Sequence, residues 1–374
     1  MAPEIARDVV KTLPANSKLL DPMCGSGTVL RFAVERDVQA FGVDIDPLAV
    51  MMARTWISSI ESDQLLIDTH YFIKKAREIA GQEIALPWHD DETREFANYW
   101  FADKQRRQLS ALAMVLSQSK KKSKEAIMVA LSRAIVTKDR GLSLARDTSH
   151  SRPHRVWSDN PLDVYDTLLR SVRTLSSRLG SHLIRSVGDV RRGDCRALPH
   201  IASGSIDCVI TSPPYLNAID YLRGHRLSLI WLGYSVAEIR QLRGASVGSE
   251  RGIQSLPLDL DRYVRSTSGS PLPDRHIGWL KRYYQDATSC TRELGRVVRP
   301  GGKVVLVVGN SFLRGCNVDN SLVFEDLLRE AGFGGISRRE REIPARRRYL
   351  PPPSTGSALA ARMRSEVVLA GERM

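Results

Sequence analysis

Four consecutive residues in the second half of the chain, Ser212-Pro213-Pro214-Tyr215, carry the clearest chemistry. An apolar run, Cys208-Val209-Ile210, leads into them and predicts a buried strand that delivers them at its carboxyl end. Two successive prolines fix φ near −65° and remove two N–H donors. What remains is a stiff backbone rich in acceptors. The Ser212 hydroxyl and the Pro213 carbonyl can each accept an N–H from an amine. Such a fixed polar environment suits a poor amine nucleophile, for example the exocyclic amine of cytosine or adenine. Tyr215 can stack on a base taken out of a helix. The bland alternative is a strand, a Pro-Pro turn and a core tyrosine.

A second constellation lies near the start. Leu19-Leu20-Asp21-Pro22 ends an apolar strand, and Cys24-Gly25-Ser26-Gly27-Thr28 follows as a glycine loop opening a helix. Gly25 and Gly27 let the backbone turn sharply and approach a ligand without Cβ clashes. The helix start then presents free N–H groups. The dinucleotide pattern G-x-G-x-x-G is incomplete, because Val29 follows Thr28, and no Lys-Ser/Thr completes a P-loop. Asp44 stands 44 − 25 = 19 residues after Gly25, at the end of a second strand. A carboxylate there can accept both hydroxyls of a ribose. Asp46 is a rival for that role, and both could instead be acids that cap a helix.

These residues need a scaffold. The alternation of apolar strands (17–23, 39–46, 186–194, 206–215, 303–311) with helical spacing predicts a doubly wound α/β sheet. Helices are expected over 1–15, 29–36, 47–57, 221–233, 276–298 and 323–333, with Pro47 opening one of them. A turn at Arg299-Pro300-Gly301-Gly302 is expected to lead into the strand at 303–311. Segments 335–350 and 365–374 are expected to pair antiparallel at one edge. Residues 60–187 hold no strong strand signal and read as amphipathic helices, with a loop at 147–161. An insertion of roughly a hundred residues far exceeds the usual connection. The expected division is a catalytic domain at 1–57 and 188–374 and a helical insertion at 58–187.

Composition narrows the classes. The chain has 374 residues, 55 Lys+Arg against 42 Asp+Glu, and a net charge of +13, which favours a polyanionic partner. No apolar run approaches the length of a membrane span. No basic and apolar leader precedes the first strand, so a cytoplasmic location is expected. Five scattered cysteines form no CxxC pair, and the eight histidines form no metal constellation, so no metal site is expected.

Together, DPMCGSGT, FGVDID and TSPPY resemble the DNA amino-methyltransferases, the N4-cytosine and N6-adenine enzymes. The resemblance covers roughly 1–57 and 188–374. It implies a class I methyltransferase-like seven-stranded sheet with an antiparallel C-terminal edge, and S-adenosylmethionine as cofactor. By that resemblance Asp21, Pro22, Cys24, Gly25, Gly27 and Thr28 cradle the methionine part. Asp44 and Ile45 meet the ribose, and Asp194 and Cys195 the adenine. Ser212, Pro213, Pro214 and Tyr215 perform the transfer. The opening MAPEIARDVV is expected to be the tail of a cofactor-contacting segment.

Serine at the head of the tetrapeptide is commoner in N4-cytosine enzymes of the family, so cytosine N4 in duplex DNA, with the base flipped out, is the expected target. Arg223, His225 and Arg226 are candidate nucleic-acid contacts, as are the basic clusters at 120–124, 152–155 and 346–348. Restriction or defence proteins are expected partners. The competing readings are N6-adenine methylation, tRNA guanine-N2 methylation, an oxidoreductase, and a nucleic-acid-binding protein with a degenerate cofactor fold.

Overall fold

The computed structural model describes residues 3–146, 153–180, 184–214, 216, 221–248, 260–266, 272–343 and 365–374. Two compact units emerge. One comprises Met1–Ile45, Arg185–Ala218 and Gly244–Met374, the other Asp46–Ile184 and Ile219–Arg243.

The first unit is built on a seven-stranded sheet. Its strands are β1 (Lys18–Asp21), β2 (Gln39–Asp44), β3 (Gly188–Arg192), β4 (Ile206–Thr211), β5 (Val298–Val308), β6 (Phe333–Glu342) and β7 (Ser365–Arg373). They lie in the order β6-β7-β5-β4-β1-β2-β3. All neighbours from β5 to β3 run parallel, and β7 enters antiparallel between β5 and β6. This is the class I methyltransferase order, with its antiparallel edge where the sequence places it.

Burial explains the centre. Leu19 and Leu20 of β1 and Cys208, Val209 and Ile210 of β4 are fully buried, as strands covered on both faces must be. Gly42 has a steric reason. A Cβ there would stand 2.4 Å from Leu30 Cδ1, so the helix Thr28–Val34 packs directly on β2. Between β1 and β4 the order reverses, because β2 and β3 lie on one side of β1 while β4 and β5 lie on the other. Such a switch point opens a crevice at the carboxyl ends of the strands.

One expectation needs correction. The Arg299-to-Gly302 turn does not precede its strand but bulges within it. Val298 pairs with Ile206 and Lys303 with Cys208, so four residues are looped out between two paired positions. Gly301 takes φ 72° there, which only glycine adopts cheaply.

The second unit is mainly helical. Helices Pro47–Trp56, Ser62–Ile79, Asp91–Trp100, Asp103–Ser117, Lys124–Ile135, Val164–Leu179 and Tyr221–Leu229 surround a core that includes Leu65, Phe72, Leu112, Ile127, Leu168 and Trp231. The Trp231 ring sits 5.1 Å from Phe101 and 5.3 Å from His89. Residues 60–187, which hold no strong strand signal, carry one short antiparallel ladder that the sequence did not mark, Ala145–Arg146 with His154–Arg155. Among the described residues no helix is long and apolar enough to cross a membrane.

Candidate functional site

The carboxyl ends of β1, β2 and β4 gather the sequence-predicted residues of the first unit. Gly25 and Gly27 take φ 50° and 83°, and Gly27 caps the helix Thr28–Val34. The loop is tied to β2 twice. Cys24 N donates to Val43 O at 3.0 Å, and Gly25 N donates to Asp44 Oδ2 at 2.8 Å. Asp44 therefore shapes the loop as well as standing at the strand end. Nothing lies within 4 Å of where a Cβ on Gly25 would project.

The rival acid has a different position. Asp46 is buried, caps the helix Pro47–Trp56 through Leu48 N at 2.9 Å, and accepts from His225 Nδ1 at 2.5 Å. Both contacts lie within the helical unit. Asp44 is the acid that contacts the glycine loop.

Asp21 is a buried carboxyl at the end of β1. It accepts from Thr211 Oγ1 at 2.7 Å and from Met23 N at 3.3 Å. Burial pushes its pKa up to about 7, against the downward pull of these two hydrogen bonds, and the nearby Asp44 adds to the rise. Among the described residues no Lys, Arg or His side chain forms an ion pair with it. Beside it, burial and the two carboxylates hold the Cys24 thiol well above its ordinary value.

The segment Ser212–Pro214 is held at both ends. Thr211 is anchored to Asp21, Tyr283 Oη donates to Pro214 O at 2.9 Å, and Ser311 Oγ donates to Leu216 O at 2.7 Å. Pro213 is buried, and Ser212 and Pro214 are half-buried. Tyr215 lies outside the described residues. Sequence reading missed Tyr283 and Ser311, because their partners are 69 and 95 residues away and no local pattern marks them.

At the end of β3, Gly193 N donates to Asp44 O at 3.0 Å. Asp194 is half-buried, and both of its carboxylate oxygens accept from Arg196. Arg196 also reaches Asp286 and the Ala245 carbonyl, each at 2.6 Å. The Cys195 side chain is buried against the Cys290 thiol, 2.7 Å away. Pro22 is buried, Thr28 closes the loop half-buried, and Ile45 is half-buried just past the end of β2.

The nucleic-acid candidates stand in the helical unit. Arg223 is exposed, His225 bonds Asp46, and the Arg226 guanidinium lies 4.9 Å over the Phe96 ring. Lys121 is bonded to the buried Asp68 at 2.7 Å. Arg155 lies 4.8 Å over the exposed Tyr99 ring. Arg152 and Arg346–Arg348 fall outside the described residues. Among the described residues no group of three His, Cys, Asp or Glu could hold a metal.

No protein-family model matches the chain. Full-length likeness is found among curated methyltransferases. The Type II methyltransferase M.MvaI of Kocuria varians is 21% identical over 413 residues, spanning 99% of this chain and 88% of that one. M.AvaI of Nostoc sp. is 21% identical and spans 84% and 73%. M.BsoBI of Geobacillus stearothermophilus is 28% identical over 171 residues, spanning 37% and 34%. An S-adenosylmethionine-dependent methyltransferase from Methanosarcina mazei overlaps at a TM-score of 0.35 with 10% identity, over 98% and 97% of the two chains. That overlap is slight, and the fold stands on the strand order. The resemblance to DNA methyltransferases seen in three short motifs thus extends to Type II methyltransferases along nearly the whole chain.

Proposed function

We propose that this protein transfers a methyl group from S-adenosylmethionine to the exocyclic N4 amine of cytosine in duplex DNA. The observation that carries the reading is the meeting, at the carboxyl ends of β1, β2 and β4, of the glycine loop bonded to Asp44 and the braced Ser212-Pro213-Pro214 segment. Type II methyltransferases along the chain's length support the same reaction class, and their type supports a place in a restriction–modification system.

The donor set fits the cofactor. A glycine in left-handed conformation with open space before it suits close approach of a ligand. Two neighbouring carboxylates, Asp21 and Asp44, suit a cationic ligand with ribose hydroxyls. S-adenosylmethionine, when bound, supplies an electrophilic methyl group. Asp44 would hold the ribose, the 24–28 loop the methionine part, and Asp194 the adenine.

The chain's own residues then handle the amine. The Ser212 hydroxyl and the Pro213 carbonyl accept its two N–H groups and orient the lone pair. The Tyr283 bond to Pro214 O and the Thr211 bond to Asp21 keep those acceptors from yielding, so reorganisation is paid before the reaction begins. The nitrogen lone pair forms the new C–N bond, the S–CH3 bond electrons stay on sulfur, and the surplus proton leaves to water.

The test is transfer of isotope-labelled methyl to duplex DNA and to bulk tRNA in parallel, with nucleoside mass spectrometry. Label in N4-methylcytosine supports the reading. Label in N6-methyladenine keeps the reaction class and overturns the target. Label in tRNA guanine alone moves the substrate to RNA.

A further inference from the structure

The bond between Thr211 and Asp21 joins two parts of the machinery 190 residues apart. Thr211 is the last residue of β4 and the immediate neighbour of Ser212. Asp21 is the last residue of β1 and opens the cofactor loop. The strands pair in parallel at Leu19–Cys208 and Leu20–Val209, so their ends fall side by side. Thr211 is fully buried and Asp21 is 4% exposed. In such a site a hydrogen bond fixes geometry strongly, because water offers neither group an alternative partner.

We propose that Thr211 is a positioning residue for methyl transfer: through the hydrogen bond it donates to Asp21, it ties Ser212 to the cofactor loop and sets the charge of the Asp21 carboxyl. The inference rests on the reading of the site as a methyltransferase centre. Valine would fill the same space but offers no donor. Serine would keep the donor and lose only the methyl group.

The charge matters because the sulfonium of the proposed cofactor is cationic. Asp21 is faced by Thr211 from β4, by Met23 N and the Cys24 thiol from its own loop, and by Asp44 from the end of β2. Asp44 pushes its pKa up, and the Thr211 and Met23 hydrogen bonds pull it down. An ionised Asp21 favours a cation, and a protonated one does not. Affinity for S-adenosylmethionine should therefore rise as pH passes through about 7. Affinity for S-adenosylhomocysteine, whose sulfur is neutral, should change less. Removing the Thr211 donor withdraws support from the ionised form, so the inflection should move up by about one pH unit, the scale of one hydrogen bond to a charged acceptor.

The experiment uses the full chain as wild type, Thr211→Val and Thr211→Ser. Affinity for both ligands is measured by equilibrium dialysis from about pH 5.5 to about pH 9. The Asp21 carboxyl is titrated by carbon-13 NMR in ligand-free protein, its signal assigned by loss in Asp21→Asn. The expected result is an upward shift of both inflections in Thr211→Val, a fall of roughly tenfold in single-turnover rate, and recovery of all three in Thr211→Ser. Identical titrations in wild type and Thr211→Val would overturn the proposal. If Thr211→Val does not fold, Thr211→Ala replaces it. A wild type that binds neither ligand defeats the methyltransferase reading instead, and the carboxyl titration then still decides whether Thr211 governs Asp21.

Discussion

Asp21 in the sheet unit and Asp68 in the helical unit are each 4% exposed, yet their surroundings oppose one another. Asp68 accepts from Lys121 Nζ, Ser123 Oγ and Gln64 Nε2. Burial pushes its pKa up, but those three bonds and the lysine charge outweigh it and hold the carboxyl below its ordinary value. Asp21 has a hydroxyl and an amide for partners, and burial wins. In the helical unit the buried Asn160 is matched likewise: it donates to the carbonyls of Gly141 and Ser143 and accepts from Leu162 N. A buried polar group matched in this way specifies a core. A buried carboxyl left without a cation at a strand end is where a ligand is expected.

The comparison can be broken by pH. Asp21 has its folded pKa raised from 3.8 to about 7, so it favours the folded state fully below about pH 4. That stability is lost as pH rises to about 7, by roughly 4 kcal/mol for a shift of this size. Asp21→Asn should flatten the dependence of urea midpoints on pH across that window. An unchanged slope would mean that Asp21 is as well matched as Asp68. Asp68 carries the opposite sign. Its stabilisation is present above the unfolded pKa and vanishes as pH falls through the lower folded value. Asp68→Ala should cost about 2–3 kcal/mol at neutral pH, read as a lower Tm, while methyl transfer per folded molecule is unchanged. A loss of activity at full stability would place Asp68 among the functional groups. The smallest effect concerns Asp44. Asp44→Ala should weaken S-adenosylmethionine binding about tenfold, the scale of a lost charge-assisted bond, visible in equilibrium dialysis before any change in the rate at saturating cofactor.

The legibility of the two regions also differs. The strand–loop–helix at 18–34 was readable because Leu19 and Leu20 form an apolar run and Gly25 and Gly27 mark the break. Val304–Val308 announced β5 in the same way. Most helices of the second unit were readable from their apolar spacing, as in Asp103–Ser117, but Asp91–Trp100 and Val236–Ala245 were not. Two short strand pairs were also missed. The ladder of Ala145–Arg146 with His154–Arg155 has two residues a side, too few to show a period. The hairpin of Ser311–Leu313 with Cys316–Val318 turns on Arg314 and Gly315, both at positive φ, and follows β5 so closely that it reads as its tail. At the candidate site the residue types were legible and their bracing was not. The bonds Thr211–Asp21 and Tyr283–Pro214 depend on strand order and helix placement, which no local spacing encodes.

The central claim concerns Ser212. The direct measurement is the single-turnover rate of methyl transfer to duplex DNA by Ser212→Ala beside wild type, with cofactor affinity determined on the same preparations. The account predicts a rate lower by about 10²–10³, the scale of one lost preorganised hydrogen bond, with affinity for S-adenosylmethionine within about twofold. Full activity in Ser212→Ala would contradict it.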